Sequence, residues 1–257
     1  NKEIKRKIRG LFLPEEGETW GSFDYSQQEP RIASHYAFAL GCEGSEKIVE
    51  EYTKNPKADF HNIVAEIAKI ERDQAKTINL GLFYGMGVNK LSNELQVDVD
   101  VAREILKEYN NKVPFVKDLA TTVTNYANSE GYVTTLKGRK CRFELWEPTT
   151  FGVFKALPKE QAKLKYGKHH HLKPAGTYKA LNRLIQGSAA DQTKQAMIEL
   201  HKEGLTPLIQ IHDELTLSFD GSEETKNKII SIMENAVKLT VPSKVDCDLG
   251  KSWGDAV

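Results

Sequence analysis

Two acidic stretches, far apart in the chain, carry residues able to do chemistry. One is Asp24, in the run Gly21-Ser22-Phe23-Asp24-Tyr25; the other is His212-Asp213-Glu214, inside LIQIHDELTLSF from Leu208 to Phe219. Two carboxylates held about 4 Å apart repel by roughly 4 kcal/mol at an effective dielectric near 20. Such a pair favours divalent cations between its members. Each stretch also suits an ordinary reading: Asp24 as a helix cap or turn former, His212-Asp213-Glu214 as a polar hairpin turn. A third set is Arg72, Lys76, Leu80 and Tyr84, which recur every fourth residue and so form one slowly spiralling helical stripe. The stripe is roughly 18 Å long at ~1.5 Å per residue. That length sets two cations at one end of an extended anionic ligand and an aromatic ring at the other. The same residues also suit a solvated basic turn beside a core Leu and Tyr.

Periodicity predicts the elements that must hold these residues. Ile209 and Ile211 alternate with Gln210, and Leu215, Leu217 and Phe219 alternate with Thr216 and Ser218. Period two on both sides of the acids predicts a strand, a tight reversal and a second strand. Successive strand side chains point to opposite faces, so Asp213 and Glu214 do not grip one ion equally. Gly21 to Tyr25 reads as a short strand, followed by a helix that opens at Pro30 and carries Ile32, Ala33, Tyr36, Ala37 and Leu40 on its apolar face. Asp59-Phe60-His61 precedes a long helical pattern running through Tyr84. Gly81, Gly85 and Gly87 near its end cost helix stability and point to close packing or motion there.

Glu46 to Lys54 is predicted as a short charged helix stopped by Asn55-Pro56. Val99 to Asn110 and Pro114 to Asn128 read as two more helices, and Gly131 to Phe143 as a hairpin turning at Lys137-Gly138. Phe151 to Pro174 is the least regular stretch, with Lys155, Lys159, Lys163, Lys165, Lys168 and Lys173 facing only Glu160, beside His169-His170-His171. Three adjacent histidines rarely converge on one ion, so a mobile basic loop near phosphate is preferred to a metal site; a purely solvated loop fits as well. Gly176 to Lys202 reads as a long helix with Asn182 and Gln186 four apart on one face, capped by Gly204. Ser222 to Lys238 is a further helix and Lys244 to Leu249 a last strand. This order predicts an α+β fold: an antiparallel sheet backed by helices, with a helical insertion between Asp24 and the hairpin.

The totals bound the rest. A chain of 257 residues can bury a real core, and its 36 basic and 36 acidic residues cancel, so any case for nucleic acid must be local. Cys42, Cys141 and Cys247 are scattered without metal-ligand spacing, which suits free thiols in a reducing cytoplasm. No signal peptide and no apolar run long enough for a bilayer is visible, so no membrane partner is expected. The basic opening from Asn1 to Arg9 runs straight into Leu11-Phe12-Leu13-Pro14 and reads as cut from something longer.

FDYSQQEPR, RDQAKTINLGLFYG and QIHDEL occur in that order and resemble the three polymerase motifs of family A DNA polymerases, the group of bacterial DNA polymerase I and several phage replicases. NRLIQGSAAD, YVTTLKGRK and VDCDLGKSW are similar to further stretches of that family. The likeness runs from about Lys5 to Trp253. It implies a palm sheet carrying Asp24 and Asp213 and helical fingers carrying the Arg72 to Tyr84 stripe, with residues 1–40 and 179–257 as the two parts of the palm and 41–178 as the fingers. The short spacing between His61 and Arg72, and the basic insert before Tyr178, look more phage-like than bacterial. The family's thumb, the first part of its palm and any proofreading exonuclease are expected on a missing segment or a separate chain.

The resemblance implies a template-directed DNA polymerase core that extends a primer 3′ end with deoxynucleotides, in replication or repair, in a phage or bacterial host cytoplasm. Its partners would be primer–template DNA and deoxynucleoside triphosphates. Asp24 and Asp213 would share two Mg²⁺ ions, with Mn²⁺ as a substitute, the Tyr25 carbonyl as a further ligand, and Glu214 behind them or at the primer end. One ion would activate the 3′-hydroxyl and the other neutralise the triphosphate. Arg72 and Lys76 would hold the β- and γ-phosphates, Lys76 also serving as acid for the leaving group; His61 and Gln28 would add nucleotide contacts. Glu29 would sit under the sugar and exclude a 2′-hydroxyl, and Tyr84 would stack at the templating position. Asn182, Gln186 and His212 would touch the minor groove near the primer terminus, where every base pair shows N3 or O2 acceptors, and Arg139 would join the DNA contacts. Leu80 stands where the family often has an aromatic ring facing the nucleotide, which puts dideoxynucleotide handling in question; Pro30 replaces a usual aliphatic at a helix start. Two other classes stay open: a non-catalytic DNA-binding fragment that needs a missing thumb or partner chain, and a single-subunit RNA polymerase, against which Glu29 speaks.

Overall fold

A computed structural model of the chain describes residues 2–150, 152 and 154–256. Asn1, Phe151, Val153 and Val257 lie outside the described residues, and with them the first residue of the basic opening and two residues of the stretch expected to be irregular. The elements are α1 (Lys2–Arg9), β1 (Thr19–Tyr25), α2 (Gln28–Ala39), α3 (Ser45–Lys54), α4 (Phe60–Ala68), α5 (Arg72–Phe83), α6 (Val88–Leu95), α7 (Val99–Lys112) and α8 (Pro114–Glu130). There follow β2 (Tyr132–Thr134), β3 (Lys140–Arg142), β4 (Leu145–Pro148), β5 (Leu157–Pro158), α9 (Lys159–Tyr166), β6 (Leu172–Pro174), α10 (Ala180–Lys202), β7 (Ile209–Ile211), β8 (Glu214–Phe219), α11 (Glu223–Asn235) and β9 (Val245–Gly250). The chain divides into two compact units: Asn1–His35 with Tyr52–Lys57 and Ser188–Val257, and Tyr36–Glu51 with Ala58–Gly187.

The first unit is built on a four-stranded antiparallel sheet in the order β7-β8-β1-β9. Period two sorts its side chains. Phe23, Tyr25, Leu215, Leu217, Phe219 and Val245 point to one face and pack on Ala196 and Leu200 of α10 and Ile229 and Met233 of α11. The Tyr25 hydroxyl donates to the Met233 carbonyl at 2.6 Å, so this core tyrosine buries no unpaired oxygen. The opposite face carries Ser22, Asp24, Glu214, Thr216, Asp246 and Asp248 in register. Each fully buried Leu or Phe contributes about 1.5–3 kcal/mol. A one-residue slip of β1 would bring Asp24 into that core and Phe23 into water, so burial fixes the register. Arg31, only 1% exposed, ties three segments of the unit together: its guanidinium donates to the carbonyls of Ser26 at 2.9 Å, Pro56 at 2.7 Å and Pro242 at 2.6 Å.

The second unit holds α4 to α8, the antiparallel hairpin β2–β3, and a small three-stranded antiparallel sheet ordered β5-β4-β6 with α9 beside it. Its core is aromatic: the Phe60 ring lies 6.0 Å from Phe83 and 6.3 Å from Phe115 between centroids. Asn79 is fully buried, so its amide needs partners. Its nitrogen meets His61 Nδ1 at 3.2 Å and its oxygen accepts the Tyr109 hydroxyl.

Several expectations are corrected. The helical pattern running to Tyr84 is two helices. Lys69 takes φ 56°, its N–H bonds back to the Ala65 carbonyl, and α4 ends there. Left-handed caps are usually Gly or Asn, so a lysine there gives no warning in the sequence. Tyr84 is the cap after α5 and has left the helix, at φ −94° and ψ 6°. α6 was not anticipated. The stretch expected to be irregular contains β5, α9 and β6; strands of two to four residues are too short for alternation to be read. The helix expected from Gly176 begins at Ala180, after a 3₁₀ turn at Thr177–Lys179. Of the glycines after α5, Gly85 serves close packing: at φ 69° it runs so near Tyr178 that an added Cβ would meet its carbonyl oxygen at 2.7 Å, whereas one added at Gly87 would meet nothing.

Asp59 joins two helix starts. Its Oδ1 accepts the Asn62 N–H at 2.8 Å, capping α4, and its Oδ2 accepts Arg72 Nη2 at 2.8 Å at the first residue of α5. Burial alone would raise the Asp59 carboxyl, but the Arg72 and Asn62 hydrogen bonds outweigh it and hold the group below its ordinary 3.8. Stability from a lowered carboxylate pKa is present above the unfolded value and lost as pH falls through the folded one. Asn caps helices about as well as Asp, so Asp59→Asn removes the charge and spares the cap. In urea unfolding, the parent's advantage over Asp59→Asn is expected to hold at neutral pH and to fade as pH drops below 3.8; an advantage that grew toward lower pH would contradict this arrangement.

Candidate functional site

The hairpin reverses over two residues, His212 and Asp213, because Ile211 pairs with Glu214. His212 takes φ 54°, in the left-handed region where His is one of the better tolerated residues. The tight hairpin turns that match strand twist need a positive φ at their first central position. Glu214 therefore belongs to β8, and Asp213 alone stands at the tip beside His212. The Asp213 carbonyl accepts the Tyr25 N–H at 3.3 Å, docking the reversal on the end of β1. The Asp24 and Asp213 carboxyl groups are thereby brought close enough to act on each other. Asp24 stays open to solvent, so an ion can reach the pair.

Partial burial first, then the negative field of Asp213, Glu214, Asp246 and Asp248, push the Asp24 carboxyl up to about 7. Asp213 is raised as well, chiefly by burial, with Glu214 adding to the rise. Carboxyls that hold protons this strongly are short of positive charge. Asp246 lies directly opposite Asp24 on β9, and Asp248 opposite Ser22. Neither was singled out from the sequence. The signal was there: two acids at period two in a predicted strand share one face.

Glu214, expected as a ligand or a supporting group, is already engaged. The Ser22 hydroxyl and Trp253 Nε1, the latter at 2.9 Å, donate to its Oε1, and Arg9 stands 3.8 Å from its Oε2. Arg9 in turn lies 4.3 Å from the Trp253 ring centroid. This favours the supporting role over direct ligation. Arg9, Ser22 and Trp253 surround Glu214, and spacing gave no means of finding them. Gln28 is held by the protein itself. Its amide is buried and its Nε2 donates to Gln192 Oε1 at 3.2 Å, Thr193 Oγ1 at 3.1 Å and the Ala189 carbonyl at 3.4 Å. Its neighbour Glu29 is partly exposed.

In the second unit, α5 buries Ala75, Ile78, Asn79, Gly81 and Phe83, which leaves Arg72 and Lys76 exposed one turn apart at its N-terminal end. Two cations over unpaired helix N–H groups make that end suited to anions. Leu80 is partly buried and Tyr84 is 43% exposed at the far end. His61 is buried against Phe60 and bonded to Asn79. Burial lowers its pKa, Arg72 and Lys76 push the same way, and Asp59 opposes them. Asn182 is partly buried and Gln186 exposed on α10. Arg139 Nη2 donates to the Gly187 carbonyl at 2.7 Å, anchoring the β2–β3 turn on the same helix. His212, in the first unit, is exposed.

Among the described residues, no group of three or more His, Cys, Asp or Glu side chains is arranged to hold a metal ion. Asp24 and Asp213 offer hard carboxylate oxygens only. They fit a cation such as Mg²⁺, which keeps several waters and takes phosphate oxygens as co-ligands, better than a metal that needs an all-protein cage. No helix of the described residues is long and apolar enough to cross a membrane.

Residues 1–255 match the family described as DNA polymerase family A. A DNA-directed DNA polymerase of Pseudomonas phage M6 is 36% identical over 99% of this chain and 41% of its own length. DNA polymerase I of Bacillus caldotenax is 33% identical over 99% of this chain and 28% of its own. Among solved structures, the POL domain of Pol1 from M. smegmatis, in complex with DNA primer-template and dNTP, matches with a TM-score of 0.76 at 28% identity, over 99% of this chain and 43% of that one. The chain thus spans less than half the length of these relatives. The mixed fold of helices and antiparallel sheet expected from the sequence is the fold of that polymerase domain. The match over nearly every residue, together with the shared fold, shows that this chain belongs to DNA polymerase family A.

Proposed function

We propose that the chain is the catalytic part of a template-directed DNA polymerase, joining deoxynucleotides to a primer 3′ end. The observation that carries this reading is the meeting of Asp24 and Asp213, from distant parts of the chain, on a sheet face rich in uncompensated acid. Family membership, and the primer-template and dNTP held by the M. smegmatis domain, support it. In this reading the first unit is the palm and the second the fingers.

Asp24 and Asp213 would hold Mg²⁺, or Mn²⁺ in its place, beside the Tyr25 carbonyl, with Glu214 behind them. A pair of divalent ions bound there supplies activation of a 3′-hydroxyl and neutralisation of phosphate charge. The chain's own residues do the rest. Arg72 and Lys76 bind the β- and γ-phosphates, and the neutral His61 gives a further hydrogen bond. As the primer hydroxyl loses its proton to water and its oxygen bonds to the α-phosphorus, the α–β bridge breaks; the Lys76 ammonium protonates the departing pyrophosphate oxygen and recovers a proton from solvent. Glu29 fills the space a 2′-hydroxyl would need. Leu80 offers the nucleotide an apolar surface, and Tyr84 stacks at the templating base. Asn182, Gln186 and His212 test base-pair shape from the minor groove, and Arg139 steadies this part of the DNA contact through α10.

Two experiments test the reading. With primed template, deoxynucleotides and Mg²⁺, Asp24→Asn and Asp213→Asn are each expected to slow extension by about a hundredfold to a thousandfold, the equivalent of several kcal/mol of lost charge stabilisation. A variant that keeps its circular dichroism spectrum and extends primers like the parent removes that carboxylate from the reaction. Glu29→Ala is expected to raise ribonucleotide use relative to deoxynucleotide use by roughly 10-fold to 100-fold; unchanged sugar selectivity would take Glu29 out of its role.

A further inference from the structure

We infer that the described residues between 145 and 174 (145–150, 152 and 154–174) form a docking surface for the single-stranded template strand ahead of the templating base. The identity of that strand as template rests on the polymerase reading; the surface itself rests on its own chemistry. The stretch holds six lysines against Glu147 and Glu160, in a chain whose formal charge is zero, so its positive field is local. One of the lysines is paired within the module, and another faces an acid across its small sheet. Lys163 pairs with Glu160 at 2.8 Å, and Lys173 sits opposite Glu147 across β4 and β6. Lys155, Lys159, Lys165 and Lys168 are exposed.

The lysines come with rings. Lys159 Nζ lies 4.4 Å from the Trp146 centroid, and Lys165 Nζ 5.2 Å from that of Tyr166. Phe154 stacks edge-on with Tyr166 at 5.6 Å, which holds the ring in place. Non-specific grip on a single strand needs this combination: cations that follow the phosphates and aromatic faces that take the bases. A duplex, whose bases are stacked on each other, has no use for the rings.

The module's exit sets the position along the strand. β6 leads through Gly176 and the Thr177–Lys179 turn into α10. The Thr177 hydroxyl donates to Asn128 Oδ1 at 2.7 Å, fastening the exit to α8. The Tyr178 backbone lies against Gly85, the residue after Tyr84. Tyr178 is itself 59% exposed, with Lys179 Nζ 5.4 Å from its ring centroid. Tyr178 thus carries a lysine-on-aromatic pair of the same kind as the module's, against the residue that follows Tyr84.

Fluorescence anisotropy on primer–templates with 5′ template overhangs of about 2 or about 12 nucleotides tests this, the longer lying within the span of common single-strand sites. The parent is expected to bind the long overhang more tightly. Combining Lys155→Ala, Lys159→Ala, Lys165→Ala and Lys168→Ala is expected to weaken long-overhang binding about tenfold and to flatten its salt dependence by about 2–3 in log–log slope, leaving the short overhang unchanged. The four corresponding Lys→Arg changes should restore parental behaviour, which a merely misfolded module would not. No overhang preference in the parent, an unaltered preference in the Ala variant, or loss in the Arg variant would each overturn the inference. An overhang preference with no primer extension would sink the polymerase reading and leave the strand-docking surface standing.

Discussion

The first unit is governed by a repulsion that its fold imposes. Asp24 and Asp213 meet because β1 and β8 pair in one register and the hairpin tip docks on the end of β1. That register is held by Phe23, Leu215, Leu217 and Phe219, each buried on the other face of the sheet. At about 1.5–3 kcal/mol apiece, four such side chains outweigh a carboxylate repulsion of roughly 4 kcal/mol. The sheet therefore keeps the two carboxyl groups together where an isolated charged pair would part, and Asp24 responds by holding its proton up to about 7. Asp246 and Asp248 deepen the same field from β9. Glu214 adds to that field as well, although Ser22, Trp253 and Arg9 all engage its carboxylate.

The second unit solves the opposite problem. α5 turns Arg72 and Lys76 to solvent while its other face packs on the aromatic core, and Asp59 fixes the first of these cations without removing it from water. Burial keeps His61 neutral, so the positive charge stays at the two exposed side chains. A net charge of zero thus conceals an acidic sheet face in one unit and basic surfaces in the other. A metal-assisted reaction on a triphosphate calls for both.

Local pattern made much of this legible. Alternation around His212-Asp213-Glu214 located both strands of the hairpin, and the fourfold spacing from Arg72 located the exposed face of α5. Order and spacing of the three motifs carried the family. What stayed hidden depends on tertiary burial. Asp246 and Asp248 lay in a strand that was foreseen, yet only pairing with β1 brings them to the face of Asp24. Gln28 sits one residue from the exposed Glu29, and only the docking of α10 on α2 turns its amide inward. Lys69 breaks a helix in a backbone conformation that its residue type does not announce. β4, β5 and β6 are too short to show a period, so a folded basic module passed for an irregular loop.

Mn²⁺ binding, followed by electron paramagnetic resonance in the presence of primer–template and a deoxynucleotide, probes the central claim most directly. The account predicts bound Mn²⁺ in the parent chain, weakened roughly tenfold or more by Asp24→Asn and by Asp213→Asn alike, as loss of a ligand should cost at least what loss of a supporting group does. Equal Mn²⁺ affinity in the parent and in both variants would contradict it.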